Sequence, residues 1–149
     1  GAAGPSGMVG GQVDDLQGEK CEGHLDQLHS IHRRKTGALL SVSLELGALI
    51  AGADQTTQDA LASYGEKLGL AFQITDDLLD VQGEEGTVGK RVGKDSERGK
   101  MTFPALLGVE ESRKRARRLI DEAVDVVAPF GADGRTLADL ARYVLERDR

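Results

Sequence analysis

The sequence predicts an all-α protein, on the evidence of its composition and of its hydrophobic patterning. Only 3% of the residues are aromatic and none is Trp, whereas Leu, Ala, Glu and Arg, which favour helices over strands, are abundant. Apolar residues recur at helical spacing in four stretches of the chain. With 149 residues, 39% of them hydrophobic, the chain has enough apolar surface for one core, so we expect residues 1–149 to form a single helical domain.

The first predicted helix runs from Leu25 to about Ala53, where Gly52 and the polar residues after it indicate a stop and a turn. Its long apolar run, residues 37–53, is shorter than a typical membrane span and contains Glu45. We therefore expect a buried helix and no stable insertion into a membrane.

A second helix is predicted to begin near Thr56, whose spacing to Asp59 is similar to that of a capping box, and to continue to Val81. Residues 83–100 then combine five glycines with five Lys or Arg residues and have no apolar period. This composition predicts a basic loop.

Two further helices complete the prediction. Pro104 suits a helix N-terminus, and a regular apolar stripe follows it at Ala116, Leu119, Ile120, Ala123, Val124 and Val127. After a break at residues 129–134, a last helix from about Thr136 to Glu146 is predicted to bury Leu137, Leu140, Ala141 and Val144.

Charge and cysteine content exclude some functions. The chain has 19 Lys and Arg residues against 25 Asp and Glu residues, a net charge of −6, which argues against general binding to nucleic acid or to an anionic membrane. Its single cysteine, Cys21, allows no internal disulfide, so we expect a reducing, cytoplasmic location.

An acidic stripe crosses the second predicted helix. Gln73, Asp76, Asp77 and Asp80 fall at positions i, i+3, i+4 and i+7 of FQITDDLLDV, so they are predicted to share one face. A solvated face is one interpretation. The other is a Mg²⁺ site that binds the metal together with a phosphorylated substrate, and the neighbouring basic loop favours it, because a diphosphate uses both features.

HRRKTG, residues 32–37, places polar groups near the start of the first long helix. Lys35 is either a surface cation or, with the hydroxyl of Thr36 beside it, a ligand for a phosphate group. For His32 we expect a solvated helix residue in preference to a metal ligand or a base.

These motifs resemble those of the trans-isoprenyl diphosphate synthases. GMVGGQ (7–12), IHRRKTGALL (31–40), YGEKLGLAFQITDDLLDV (64–81) and VGKRVGKDSERGKMTFPALLG (88–108) occur in the order and spacing of that family. The resemblance is greatest to its bacterial farnesyl and geranylgeranyl diphosphate synthases. It implies a helical bundle around a cavity, in which Mg²⁺ assists ionisation of an allylic diphosphate that then alkylates isopentenyl diphosphate.

The resemblance also implies roles for individual residues. The metal set would be Asp76, Asp77 and Asp80, with Asp76 as the direct ligand and the other two holding metal-bound waters or supporting partners. The diphosphate-binding set would be Lys35, Lys90 and Lys100. The catalytic set would be Lys35, Thr36, Gln73 and Lys90.

The chain departs from the family in length. Members are about twice as long and carry a first DDxxD motif, followed by an Arg pair, upstream of all the motifs found here; DDLQG (14–18) does not replace it. We therefore expect the C-terminal half of a synthase, a prenyltransferase that is inactive as the isolated chain. The alternatives are a non-catalytic, half-length binding or regulatory partner of a full synthase, or a plain helical interaction domain.

Half a bundle would leave an apolar face uncovered. Such a face favours association with a second copy or another subunit, so we expect a homodimer.

Overall fold

The protein consists of helices and short connecting turns in the ranges that the computed structural model describes, residues 1–18, 24–85 and 101–147. These ranges contain α1 (Met8–Gly18), α2 (Leu25–His32), α3 (Ala38–Ile50), α4 (Gln55–Glu85), α5 (Phe103–Leu107), α6 (Val109–Val127) and α7 (Arg135–Glu146). A π-helical turn, Arg33–Gly37, joins α2 to α3, and a 3-10 turn, Ala128–Phe130, follows α6. The predicted all-α fold is confirmed.

The first predicted helix is observed from Leu25 to Ile50, but its central turn is wound differently. Over Arg33–Gly37 the backbone stays helical while the N–H of Ala38 bonds to the carbonyl of Arg33, five residues earlier. A π turn of this kind is less favourable than an α turn and is frequent at functional sites. It lies on the residues that the sequence singles out, since the turn contains Lys35 and Thr36.

Helix α4 is the central element of the structure and packs between α3 and α6. Its N-terminus is capped by Asp54, whose carboxylate accepts a hydrogen bond of 2.8 Å from the N–H of Thr57. Hydrogen bonds from Thr57 hold the pKa of the Asp54 carboxyl below its usual value. The predicted start near Thr56 is therefore close, but the cap is Asp54 and not a box formed by Thr56 and Asp59.

Two apolar clusters hold the helices together. One joins α4 to α6 and α7 through Tyr64, Leu68, Ala71, Ile120, Ala123, Val127, Ala141 and Val144. The other joins α2, α4, α5 and α6 through Leu28, Ile74, Leu78, Phe103 and Ala116. The second cluster places the end of α2 and the start of α5 against the helix that carries the aspartates.

The predicted stripe of α6 and most of the predicted core of α7 are observed, with two corrections. Pro104 lies in a separate short helix, capped by Thr102 and ended by Gly108 at φ 82°, a conformation that favours glycine. Leu140 is 47% exposed, so its predicted burial is wrong, because it lies off the face that carries Ala141 and Val144.

Helix α3 does not form the fully buried helix that its apolar sequence predicts. Ser41 and Ala48 face the protein, whereas Leu39, Leu46, Leu49 and Ile50 are exposed, Ile50 to 85%. An apolar surface is therefore left open along this helix. Within the described ranges, no helix combines the length and hydropathy that a membrane span requires.

Candidate functional site

Two predicted site residues meet where the π turn crosses α4. The hydroxyl of Thr36 donates a hydrogen bond of 2.5 Å to the side-chain oxygen of Gln73. The crossing is close because it is built from glycines, since a Cβ on Gly69 would lie 2.9 Å from the Cα of Gly37. The fold thus brings Thr36 and Gln73 together across 37 residues of sequence.

Lys35 is held by helix α1. Its ammonium group lies 2.5 Å from the carboxylate of Asp15, and the neighbouring Arg34 pairs with Asp14. Helix α1 fits against the turn without clearance, because a Cβ on Gly11 would lie 2.4 Å from the backbone nitrogen of Lys35. No local sequence pattern indicates this role of the two aspartates, because it depends on a contact between distant segments.

The three aspartates of DDLLD do not share one face. Asp76 and Asp80 are exposed, whereas Asp77 is only 5% exposed. A carboxylate oxygen of Asp77 accepts a hydrogen bond of 3.0 Å from the N–H of Phe103 and lies 4.0 Å from Nε2 of His32. Consecutive helical residues are about 100° apart, so burying Asp77 turns Asp76 outward. The interpretation of one continuous acidic face is corrected accordingly.

His32 is buried, contrary to the expectation of a solvated residue. Its ring stacks on that of Phe103, with centroids 5.5 Å apart and planes 21° from parallel. His29 packs edge-on against the same ring, and burial together with the charge of Arg115 lowers the pKa of His29. A signal for this burial was present, because His32 lies one turn after the core residue Leu28.

Arg147 is the site residue that sequence reasoning missed. Its Nη2 donates to a carboxylate oxygen of Asp76 at 3.1 Å and to the carbonyl of Phe72 at 3.3 Å. Its guanidinium carbon lies 3.9 Å from the centre of the Phe72 ring. A cation that pairs with Asp76 thus comes from the end of α7, and no local sequence pattern reveals it.

The exposed carboxylates suit a Mg²⁺ ion that is shared with a substrate. Asp76 and Asp80 lie one turn apart on the open side of α4 and offer hard oxygen ligands. Among the described residues, no group of three or more His, Cys, Asp or Glu side chains is arranged to hold a metal. Because Mg²⁺ commonly uses one or two carboxylates with waters and phosphates, the fit is to a partial site and not to a full protein cage.

Other predicted residues lie elsewhere. Lys90 and Lys100 fall outside the described residues, as does Cys21. A separate cleft of about 400 Å³ between α2, α4 and α6 contains none of the predicted site residues; Asp26, His29, Ser30, Arg33, Glu66, Lys67, Leu70 and Leu119 line it. The candidate site is therefore identified by the chemistry of its side chains and not by the position of this cleft.

Comparison with known proteins supports the motif assignment. The family model described as polyprenyl synthetase matches residues 5–129. The chain is 47% identical over 152 aligned residues to the farnesyl diphosphate synthase of Escherichia coli (strain K12), covering 99% of this chain and 51% of that protein. It is 42% identical to the geranylgeranyl diphosphate synthase of Cyanophora paradoxa, covering 96% of this chain and 48% of that protein.

Solved structures of similar proteins support the same family assignment. A FPP/GFPP synthase from Zymomonas mobilis superposes with a TM-score of 0.82 at 36% identity, over 96% of this chain and 47% of the other. A geranyltransferase from Helicobacter pylori, complexed with magnesium and isoprenyl diphosphate, gives a TM-score of 0.77 at 32% identity, over 97% of this chain and 48% of the other.

The chain spans about half the length of these relatives, which agrees with the expected C-terminal half of the isoprenyl synthase bundle. The resemblance inferred from the motifs is confirmed, and the chain belongs to the polyprenyl synthetase family.

Proposed function

We propose that this chain supplies the diphosphate-binding and metal-binding side of a Mg²⁺-dependent prenyl transfer, in which an allylic diphosphate is condensed with isopentenyl diphosphate. The observation that carries the proposal is the contact between Thr36 and Gln73. This contact places Lys35 and Thr36 against α4. On that helix, Asp76 lies one turn beyond Gln73 and Asp80 lies two turns beyond it. Donors for a diphosphate and carboxylates for a metal thus share one region.

Each residue has a role that its surroundings support. Lys35 offers three donors on a side chain that is 30% exposed, so it can exchange Asp15 for a diphosphate oxygen. Thr36 and Gln73 fix each other's orientation beside it. Lys90 and Lys100 stay predicted diphosphate ligands.

On the acidic side, Asp76 is the direct metal ligand and Asp80 holds a metal-bound water. Asp77 supports Asp76 from within the protein, because its carboxylate is buried against the backbone of Phe103.

The reaction needs positive charge where the diphosphate departs. Negative charge accumulates on the leaving group as its carbon–oxygen bond breaks, so a fixed cation such as Lys35 binds the transition state more tightly than the ground state. When bound, Mg²⁺ supplies further charge stabilisation to the diphosphate oxygens. No nucleophilic side chain is required, because isopentenyl diphosphate provides the attacking carbon.

We expect the isolated chain to form an incomplete site. The 149 residues contain one DDxxD motif, DDLLD at residues 76–80, where the family resemblance implies two. A cytoplasmic location also stays a prediction.

The exposed leucines of α3 are expected to pair with a second subunit, which makes a homodimer part of the proposal. Sedimentation at micromolar concentration tests this association, and a monomer would contradict it.

Calorimetric binding of inorganic pyrophosphate with Mg²⁺ tests the proposed site directly. Lys35→Gln and Asp76→Ala should each weaken binding by about 10- to 100-fold, because each removes a charged partner of the ligand. The matched controls, Lys114→Ala and Asp121→Ala, change exposed residues of α6 and should leave binding unchanged. Equal binding by all four variants would exclude the proposed site.

Incorporation of labelled isopentenyl diphosphate, with allylic primers of several lengths, tests completeness. We expect none from the isolated chain. Incorporation that is lost in Asp76→Ala would establish a complete site and refute the half-enzyme proposal. A chain that bound pyrophosphate without turnover would support it.

A further inference from the structure

We propose that Arg147 is a built-in competitor of the metal at Asp76: its guanidinium pairs with the Asp76 carboxylate in the metal-free protein and lowers the affinity of that carboxylate for a divalent cation. This inference rests on the proposed role of Asp76 as the direct metal ligand. It concerns a residue that lies 71 positions away in sequence and outside every motif of the site.

Arg147 contacts one turn of α4 through two hydrogen bonds and a cation–π contact. Its Nη2 lies 3.1 Å from a carboxylate oxygen of Asp76 and 3.3 Å from the carbonyl oxygen of Phe72, four residues earlier. The guanidinium also covers the ring of Phe72 at 3.9 Å. These three contacts to two residues on the same helical turn fix the position of the guanidinium, and they orient one of its N–H groups towards Asp76.

Burial is uneven across this pair. The side chain of Arg147 is 17% exposed, whereas that of Asp76 is 53% exposed. The guanidinium is thus sheltered by packing, while the carboxylate stays open to ions from solvent. Because the pair is accessible on its acidic side, a cation in solution can compete for the carboxylate without unfolding the helix.

Guanidinium and metal compete for the negative charge of one carboxylate. The hydrogen bond from Nη2 occupies one of the acceptor positions of Asp76, and arginine has no lone pair with which to join the coordination shell of a metal. A divalent ion placed beside the guanidinium would also meet like-charge repulsion. The ion pair therefore lowers the affinity of the Asp76 carboxylate for a metal.

Lys35 shows the same arrangement with opposite sign. Asp15 neutralises that cation from α1, as Arg147 neutralises Asp76 from the end of α7. Two of the charges that the proposed function assigns to ligands, Lys35 and Asp76, thus have an intrachain partner of opposite sign. At these two residues, ligand binding becomes an exchange of partners.

The test uses the 149-residue chain with Mn²⁺ as the probe, its binding measured by electron paramagnetic resonance of the free ion. Arg147→Ala should raise the affinity for Mn²⁺ by about two- to fivefold, the range expected from removing a partly exposed competing ion pair. Arg147→Lys should lie between that variant and the wild type. The control Arg142→Ala removes an exposed arginine of α7, which is paired with Asp139, and should change nothing.

The assignment to Asp76 is tested in the same experiment. Asp76→Asn should weaken Mn²⁺ binding, and adding Arg147→Ala to that variant should give no gain, because the competition requires the carboxylate. If Asp76→Asn changed nothing, both the proposed metal site and this inference would fail. If Asp76→Asn weakened binding while Arg147→Ala gave no gain, this inference alone would fail.

A measurement on the unaltered protein guards against effects of substitution on folding. The side-chain Nε resonance of Arg147 should shift on addition of Mg²⁺ in wild-type protein and stay in place in Asp76→Asn. An Arg147 resonance that is unchanged by saturating Mg²⁺ in wild-type protein would overturn the proposal.

Discussion

The close crossing of the π turn over α4 makes a sharp prediction for Gly69→Ala. The added Cβ would lie 2.9 Å from the Cα of Gly37, a backbone atom that cannot rotate away. The turn and α4 must therefore move apart by several tenths of an ångström. Because Thr36 lies next to Gly37 and bonds to Gln73, we expect the substitution to weaken that hydrogen bond as well as the fold.

The magnitude follows from two opposing effects. Overpacking of this kind costs about 1–3 kcal/mol. Replacing a helical glycine by alanine favours folding by about 1 kcal/mol through backbone entropy. Gly47→Ala isolates the second effect, since Gly47 lies in α3 and a Cβ there would meet nothing within 4 Å. The difference between the two variants, about 1–3 kcal/mol, is then the cost of the close contact alone.

The assay is thermal unfolding of the two variants and the wild type. For a chain of this length each kcal/mol shifts Tm by about 2–4 °C, so Gly47→Ala should melt above the wild type and at least about 2 °C above Gly69→Ala. Gly69→Ala should also weaken Mg²⁺-dependent pyrophosphate binding, whereas Gly47→Ala should not. Equal stabilisation of the protein by both substitutions would refute the close crossing.

Two further predictions concern buried polar groups. Asp77→Ala should lower the free energy of unfolding by about 1–3 kcal/mol in urea titrations, because it leaves the Phe103 N–H without its acceptor. Asp77→Asn keeps a side-chain oxygen and should lower that free energy by less. Equal losses in the two variants would contradict this prediction. Burial raises the pKa of Tyr64 to about 12, so its contribution to stability is complete below pH 10 and is lost as pH rises from 10 to 12, at up to about 1.4 kcal/mol per pH unit. In Tyr143→Phe, which leaves Tyr64 as the single tyrosine, phenolate absorbance should therefore appear near pH 12; a midpoint near pH 10 would refute the burial argument.

Helices α4, α6 and α7 were predictable because their signals are local, whereas α1 was not predicted. The apolar period of α4, α6 and α7 is written within each segment, and the predicted spans match the observed ones to within a few residues at most ends. The π turn at Arg33–Gly37 was not predictable, because its five residues satisfy an α-helical pattern equally well. The π turn packs tightly against α1 and α4. These are tertiary contacts, which a local sequence pattern does not reveal.

The residues of the candidate site also differ in whether the sequence could predict them. Lys35, Thr36, Gln73 and Asp76 could be singled out, because each is a polar intrusion in an apolar stretch. Their partners could not, since Asp15 and Arg147 lie far away in sequence and resemble ordinary surface charges. The different fates of adjacent Asp76 and Asp77 depend on which side of α4 is covered by Phe103, a fact of packing and not of periodicity.

The proposed function requires an acidic chain to bind an anionic ligand. A net charge of −6 opposes a diphosphate at long range, but at physiological ionic strength charges more than about 8 Å away are largely screened. Binding then depends on the charges within that distance. In the proposed site, Lys35 would pair with the diphosphate directly, while Asp76 and Asp80 would attract the metal that in turn binds the diphosphate. The carboxylates would therefore favour the complex of metal and diphosphate over either ion alone, and binding would replace the pairs with Asp15 and Arg147 by contacts to the two ions.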